Sequence, residues 1–155
     1  MRAQTLNRRA SLGLMASLPL AVWARPARAA AAEVFAADGL AIGGTDPVAY
    51  FRQNAAVPGR PDYALMWHGA TWVFASAETM EAFEMDPDAF APQFGGYCAY
   101  ALAQGSLAPS VPEAWTIYQD RLYLNFSLAV RQEWLADIPG YLALAAPLWP
   151  AILQS

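Results

Sequence analysis

Three side chains in this sequence carry the soft donor atoms that could bind a metal ion, namely Cys98, His68 and Met66. A thiolate, an imidazole and a thioether together form a ligand set that suits a soft ion such as Cu(I). Cys98 and His68 are the only cysteine and the only histidine of the chain. The residue types therefore predict a soft-metal site, with copper as the first candidate, Cys98 as its anchor and His68 or Met66 assisting.

Cys98 lies in the stretch FGGYCAYA, where it follows a glycine pair and stands between two tyrosines. If Gly95 and Gly96 form the turn that enters a short helix, the free N–H groups of its first turn favour a thiolate at Cys98. The spacings from Tyr97 to Ala101 and from Tyr100 to Gln104 fit such a short helix, ending at Gly105. The glycine pair would also let a ligand or another backbone segment approach closely.

Each of these three residues has a structural interpretation beside the functional one. A free cysteine is often a small buried side chain, and a lone exported thiol can otherwise undergo redox chemistry or pair with a partner protein. His68 lies at an expected hairpin turn, where a histidine is commonly a polar turn residue. Met66 lies on an expected core-facing position, so its competing role is to fill the core.

No motif of a catalytic site occurs in the sequence. A Gly-rich phosphate loop, Cys-x-x-Cys, His-Glu-x-x-His and Gly-x-Ser-x-Gly are all missing. A non-catalytic protein is therefore the favoured interpretation. Three functions stay open, namely soft-metal binding, thiol redox chemistry at Cys98, and a structural or interaction role without small-molecule chemistry.

Two segments of the chain, YALMWHGATWVFAS and WTIYQDRLYLNFS, each contain two apolar runs around a tight turn, which predicts a β-hairpin. Ser76 and Ser127 follow these hairpins as expected helix N-caps. The two segments lie 51 residues apart, so that Trp67 aligns with Tyr118. The pattern predicts a small single α+β domain of antiparallel hairpins with packed helices, built from two similar hairpin–helix units. Two copies alone do not decide whether they arose by duplication.

The first 32 residues have the features of an export signal. A basic start that contains Arg8 and Arg9 precedes a short apolar run, and an Ala-x-Ala pattern follows at 27–29. The arginine pair favours the twin-arginine route over the general secretory one. Residues 33–155 would then form a periplasmic or otherwise exported domain. The apolar run is too short for a membrane span.

The part of the chain after Arg28 is strongly acidic. Four arginines, no lysine and thirteen acidic residues remain there, which gives a net charge of −9. Such a surface disfavours nucleic acid and anionic membranes as partners, whereas soluble cations and basic partners are compatible with it. A redox partner protein also stays open. A single cysteine cannot form an internal disulfide, so we expect an aromatic core to provide the stability.

Three stretches together, DPVAYF, GATWVFASAETMEAFEMDPDAFAPQFGGYCAYA and DIPGYLALA, resemble the YHS-domain family over about residues 40–150. The likeness is greatest to stand-alone exported members, some of which are selenoproteins. The resemblance implies a small α+β module that binds a metal ion. Metal-associated members have cysteine where this chain has Ala49, Ala75 and Thr79, so those thiolate ligands are not implied here. The Gly-Gly-Tyr-Cys motif instead makes Cys98 the position for a reactive chalcogen.

Overall fold

The computed structural model describes residues 29–155, in which two similar hairpin–helix units follow one another. The first unit contains β3 (Arg60–Trp67), β4 (Ala70–Phe74), α2 (Ala77–Met85) and α3 (Pro87–Phe90). The second unit contains β5 (Val111–Tyr118), β6 (Arg121–Asn125), α5 (Leu128–Leu135) and α6 (Ile138–Ala145). Each element of the second unit begins 51 residues after its counterpart. The predicted α+β fold with two similar units is confirmed.

The two hairpins share their turn geometry. His68 and Gly69 connect the first pair of strands, Gln119 and Asp120 connect the second, and all four residues have positive φ angles between 48° and 75°. Two central residues of this kind form the tight turn that matches the twist of the flanking strands. Each hairpin also has a register shift at the same point, between Arg60 and Ala64 in one and between Val111 and Trp115 in the other.

The remaining elements connect and cover these units. They are β1 (Ala36–Ala37), β2 (Leu40–Ala41), α1 (Pro47–Arg52), α4 (Ala99–Ala103) and short 3-10 turns, among them those at Ala146–Leu148 and Ala151–Gln154. The first sheet has the order β1-β2-β4-β3, and the second consists of β5 and β6. One pairing, Leu40 with Thr71, is parallel. The first sheet is therefore mixed, because β2 enters alongside β4 from a segment that the sequence did not predict to be a strand.

Side-chain caps start most of the helices. Ser76 accepts a hydrogen bond from the N–H of Thr79 and Ser127 accepts one from the N–H of Val130, as the sequence predicted. Asp46 caps α1, with Pro47 at the first helical position. The repeated serine therefore has the same physical role in both units.

Aromatic residues dominate the core. Tyr50, Trp72, Phe74 and Phe83 are fully buried in the main cluster, and the rings of Trp72 and Phe83 stack with centroids 5.1 Å apart. A second cluster around Trp134 underlies the second unit. Each such ring removes roughly 150–250 Å² of surface from water, which accounts for a stable fold without a disulfide.

Met66 is not in the core, and the expectation that it fills the core is wrong. Its side chain is 67% exposed, because the alternation along β3 turns Leu65 and Trp67 inward and Met66 outward. The predicted export signal lies almost entirely outside the described residues. Within residues 29–155, no helix is long and apolar enough to cross a bilayer.

Candidate functional site

Cys98 is the N-cap of α4 and is fully buried. Its Sγ accepts a hydrogen bond from the N–H of Ala101 at 3.4 Å, and the thiol donates to Oδ1 of Asn125 at 3.7 Å. The expected location at a helix start is confirmed. The sulfur satisfies one of the free N–H groups of that start, so it has a structural role whatever else it does.

The turn before Cys98 repeats an earlier turn of the chain. Ile42–Gly44 and Phe94–Gly96 are both followed by a helix cap, and all six residues have positive φ angles. The corresponding stretches read IGGTD and FGGYC and are offset by 52 residues. The similarity between the two units therefore extends upstream of the hairpins, and it aligns Cys98 with Asp46.

Asp46 makes the stronger cap of the two. Its carboxylate is fully buried and accepts hydrogen bonds from the N–H groups of Val48 and Ala49 and, through Oδ2, from that of Ala75. Cys98 contacts the end of the second hairpin through Asn125, as Asp46 contacts the end of the first through Ala75. Both caps therefore join a helix start to the last part of a hairpin.

The glycine pair allows close packing on both of its sides, and Gly95 also lines a cleft. A side chain at Gly95 would collide with the backbone carbonyl of Glu33, and one at Gly96 would press against Ile42. The carbonyl of Gly95 accepts a hydrogen bond from the N–H of Phe35 at 2.8 Å. The predicted close approach of another backbone segment therefore occurs at Gly95, where that segment is Glu33.

The two tyrosines beside Cys98 hold neighbouring segments in place. The hydroxyl of Tyr97 donates to the carbonyl of Ala32 at 2.8 Å, and burial raises the pKa of this phenol. The backbone N–H of Tyr100 donates to Oδ1 of Asn125, and the centroid of the Tyr100 ring lies 5.1 Å from that of the Tyr141 ring. The FGGYCAYA stretch therefore joins the amino-terminal segment, α4 and the second hairpin.

The three predicted soft ligands do not share a site in this structure. Nδ1 of His68 lies 2.7 Å from Oε1 of Glu33, and Sδ of Met66 accepts a hydrogen bond from the hydroxyl of Thr71 at 3.0 Å. The polar contacts of Cys98 are with other residues. Among residues 29–155, no three His, Cys, Asp or Glu side chains are grouped so that they could hold a metal ion. In this structure, therefore, these three residues are not assembled into one soft-metal centre.

A cleft of about 430 Å³ opens where both hairpin turns meet the amino-terminal segment and α3. We name it the aromatic cleft. Its charged and polar lining consists of Glu33, His68, Asp88, Gln93 and Arg121, and its aromatic lining consists of Trp67, Trp72, Phe94 and Trp149. The volume falls in the range of small-molecule sites, which is about 300–1,000 Å³.

The tryptophan rings of the aromatic cleft are held by their neighbours. The indole of Trp72 donates to the carbonyl of Trp67 at 3.0 Å, and the two rings meet edge to face at 5.7 Å. Trp149 packs beside Phe94 and Tyr97, with centroids 6.1 and 6.2 Å apart. Trp67 and Trp149 are half-buried, so parts of their rings face solvent.

Arg121 is the one arginine that lines the aromatic cleft. Nη1 lies 3.4 Å from Oε1 of Gln93, and no carboxylate of the described residues forms a salt bridge with it. Arg52 and Arg60, in contrast, pair with Glu78 and Asp62. A guanidinium without a carboxylate partner in an acidic chain can bind an anionic group of a ligand.

Comparisons of this chain with protein-family models, with curated proteins and with solved structures return no match. The YHS resemblance therefore stays a prediction from the sequence.

The aromatic cleft was not predicted from the sequence, although His68 was among the candidate residues. Arg121, Trp67 and Trp149 come from three distant parts of the chain. Their one local signal is the repeat, which places Arg121 next to a turn equivalent to that of His68. Only the packing of the two units brings both turns to one cleft.

Proposed function

We propose that this protein is an exported, non-catalytic binding module of the YHS type, and that its ligand is a small zwitterion held in the aromatic cleft. One observation carries the proposal. The cleft combines half-exposed tryptophan rings and two carboxylates with an arginine that lacks a salt bridge among the described residues. These groups are complementary to a molecule that carries both a cationic and an anionic group.

The cationic half of the ligand would lie against the indole rings of Trp67 and Trp149. Tryptophan is the aromatic side chain that attracts cations best, and such a contact is worth about 0.5–2 kcal/mol depending on its solvation. Glu33 and Asp88 add negative charge at the rim. The excess of acidic residues over the whole domain favours the approach of a cation.

The anionic half of the ligand would be bound by Arg121. A guanidinium presents paired N–H donors that match the two oxygens of a carboxylate. Gln93, which lies beside Nη1, limits where the arginine side chain can move.

The proposal is tested by titration with three probes, followed by tryptophan fluorescence, since three tryptophans line the cleft. Glycine betaine carries both charges, choline lacks the carboxylate and propionate lacks the cation. We expect glycine betaine to bind most tightly. The variant Arg121→Gln should weaken betaine binding by about tenfold, the loss of one charge-assisted contact, and leave choline unchanged.

Arg60→Gln is the matched control, because Arg60 is an exposed arginine outside the aromatic cleft whose partner is Asp62. It should bind all three probes as the wild type does. Equal affinities for the three probes, or equal effects of the two arginine variants, would contradict the proposal. Absence of saturable binding by any probe would contradict it as well.

Soft-metal binding is the second candidate, and one contact favours it. The carboxylate of Glu33 orients the imidazole of His68 through Nδ1, as carboxylates commonly do for metal-binding histidines. Cys98 would have to leave its capping position to join His68 in binding an ion. A Cu(I) titration of the wild type and Cys98→Ala separates this function from zwitterion binding.

A further inference from the structure

Two buried hydrogen-bond donors have no acceptor among residues 29–155, and one of them belongs to a residue that contacts Cys98. They are Nδ2 of Asn125 and Nε1 of Trp134, and both side chains are fully buried. A buried donor without a partner costs about 1–3 kcal/mol, and native proteins rarely leave one unpaired. We infer that Asn125 and Trp134 together bind one internal water molecule next to Cys98.

The equivalence of the two units indicates that the two donors are neighbours. With the offset of 51 residues, Asn125 corresponds to Phe74 and Trp134 to Phe83, whose rings lie 5.2 Å apart. In the first unit this contact is purely aromatic. The second unit has the same scaffold with an amide and an indole at these positions, so it contains two donors where the first contains none.

The surrounding contacts orient the amide group of Asn125. Its Oδ1 accepts from the backbone N–H of Tyr100 at 3.2 Å and lies 3.7 Å from the thiol of Cys98. The oxygen is therefore fully used, and Nδ2 is the end of the amide that remains unpaired. The indole of Trp134 packs 5.2 Å from the ring of Tyr123.

A water molecule is the occupant that this chemistry favours. Buried waters typically make about three hydrogen bonds to polar groups that would otherwise be unpaired. Here Nδ2 and Nε1 would donate to the water oxygen, and Sγ of Cys98 provides a weak acceptor beside the amide. An apolar molecule would leave both donors unpaired, and a cation would be repelled by them.

A high-resolution crystal structure of the wild type tests the inference directly. We expect one ordered water within about 3 Å of both Nδ2 and Nε1. Nuclear magnetic resonance of protein with 15N-labelled tryptophan should show transfer of magnetisation from this water to the indole proton of Trp134. Separate acceptors for the two donors, or an empty space between them, would overturn the inference.

Variants separate the bound water from general packing. Trp134→Phe should reduce the occupancy of the water, and Trp134→Phe combined with Asn125→Leu should abolish it. Trp72→Phe is the matched control, since Trp72 is equally buried but its indole already donates to Trp67. The water should persist in the control. If the Trp134 variants fail to fold, the wild-type measurements alone still decide the question.

Discussion

Asp46 and Cys98 occupy equivalent positions, one at the start of α1 and the other at the start of α4. Each follows a turn of three residues with positive φ, and each joins a helix start to the end of a hairpin. They differ in chemistry, since one is a carboxylate that accepts three N–H groups and the other a thiol that accepts one. The residue two positions after the glycine pair therefore caps a helix in both units.

Asp46→Ala should destabilise the protein more than Cys98→Ala. Removal of the Asp46 carboxylate leaves three N–H groups without their charged acceptor, which should lower the free energy of unfolding by about 3 kcal/mol. Removal of the Cys98 thiol costs about 1 kcal/mol, the usual effect of losing an N-cap. Urea denaturation measures both values. Cys98→Ser is the control and should stay close to the wild type, and equal losses at the two positions would refute the difference in strength.

Gly95→Ala should be more harmful than Gly69→Ala. Both glycines have positive φ, so alanine adds backbone strain of about 1–2 kcal/mol at either position. A side chain at Gly69 meets open space, whereas one at Gly95 collides with the backbone of Glu33. We therefore expect Gly95→Ala to lower the free energy of unfolding more than Gly69→Ala does, because the added methyl group displaces the amino-terminal segment.

Amide hydrogen exchange checks this prediction at one residue. The N–H of Phe35 donates to the carbonyl of Gly95 and should exchange faster in Gly95→Ala, because its partner moves. In Gly69→Ala the same N–H should stay as protected as in the wild type. Equal thermal midpoints for the two variants would show that the contact with Glu33 contributes little.

The equivalence of Asp46 and Cys98 could not be predicted from the sequence. The hairpins and helices follow an offset of 51 residues, and apolar alternation and serine caps made that repeat visible. The turns before Asp46 and Cys98 follow an offset of 52 residues instead. A single inserted residue between the turn and the hairpin therefore hides their alignment, and the equivalence of the two capping positions emerges only from the backbone angles.

The position of Met66 could not be read from composition either. Methionine is apolar, but its exposure depends on the phase of the strand alternation, which the bulge between Arg60 and Ala64 resets. The aromatic cleft could not be predicted from the sequence for another reason. Arg121 and His68 line the same cleft only because the two units pack together, and no local sequence pattern predicts that arrangement.

The stability of the protein should fall as the pH rises above about 10, the pKa of an unfolded tyrosine. Burial raises the pKa of Tyr50 far above this value, and burial also raises the pKa of Tyr97 and Tyr123. The unfolded chain then loses protons that the folded state still holds. The free energy of unfolding keeps its full value below that pH and decreases above it, by up to about 1.4 kcal/mol per pH unit for the buried Tyr50.

Tyr50→Phe isolates the largest of these contributions. The variant loses the hydrogen bond from the hydroxyl to the carbonyl of Pro112, 3.0 Å away, so it should be less stable near neutral pH. Its free energy of unfolding should nevertheless fall less steeply than that of the wild type between pH 10 and pH 12, where the slope is measured by urea denaturation at fixed ionic strength. Parallel slopes would contradict a buried neutral Tyr50.

Cys98 should react slowly with a thiol reagent in the folded protein. Its sulfur is fully buried, so labelling by a disulfide reagent such as DTNB requires a local opening of the chain. We expect labelling to be roughly 100-fold slower than in the urea-unfolded protein. It should be faster in Gly95→Ala, because that variant displaces the amino-terminal segment. Rapid labelling of the native protein would instead favour the thiol redox function.

Cu(I) binding decides between the soft-metal function and the aromatic cleft. Cys98 caps α4 and His68 lies against Glu33, so binding through both would require α4 to lose its cap. We therefore expect the wild type and Cys98→Ala to bind Cu(I) with the same affinity in a competition with a chelator of known strength. His68→Gln should also leave the affinity for Cu(I) unchanged. This variant should keep its fold, since Gln119 occupies the equivalent turn position in the second unit. A loss of affinity in Cys98→Ala, accompanied by a lower thermal midpoint of the wild type on chelation, would establish that the cap opens to bind metal and that Cys98 is a ligand.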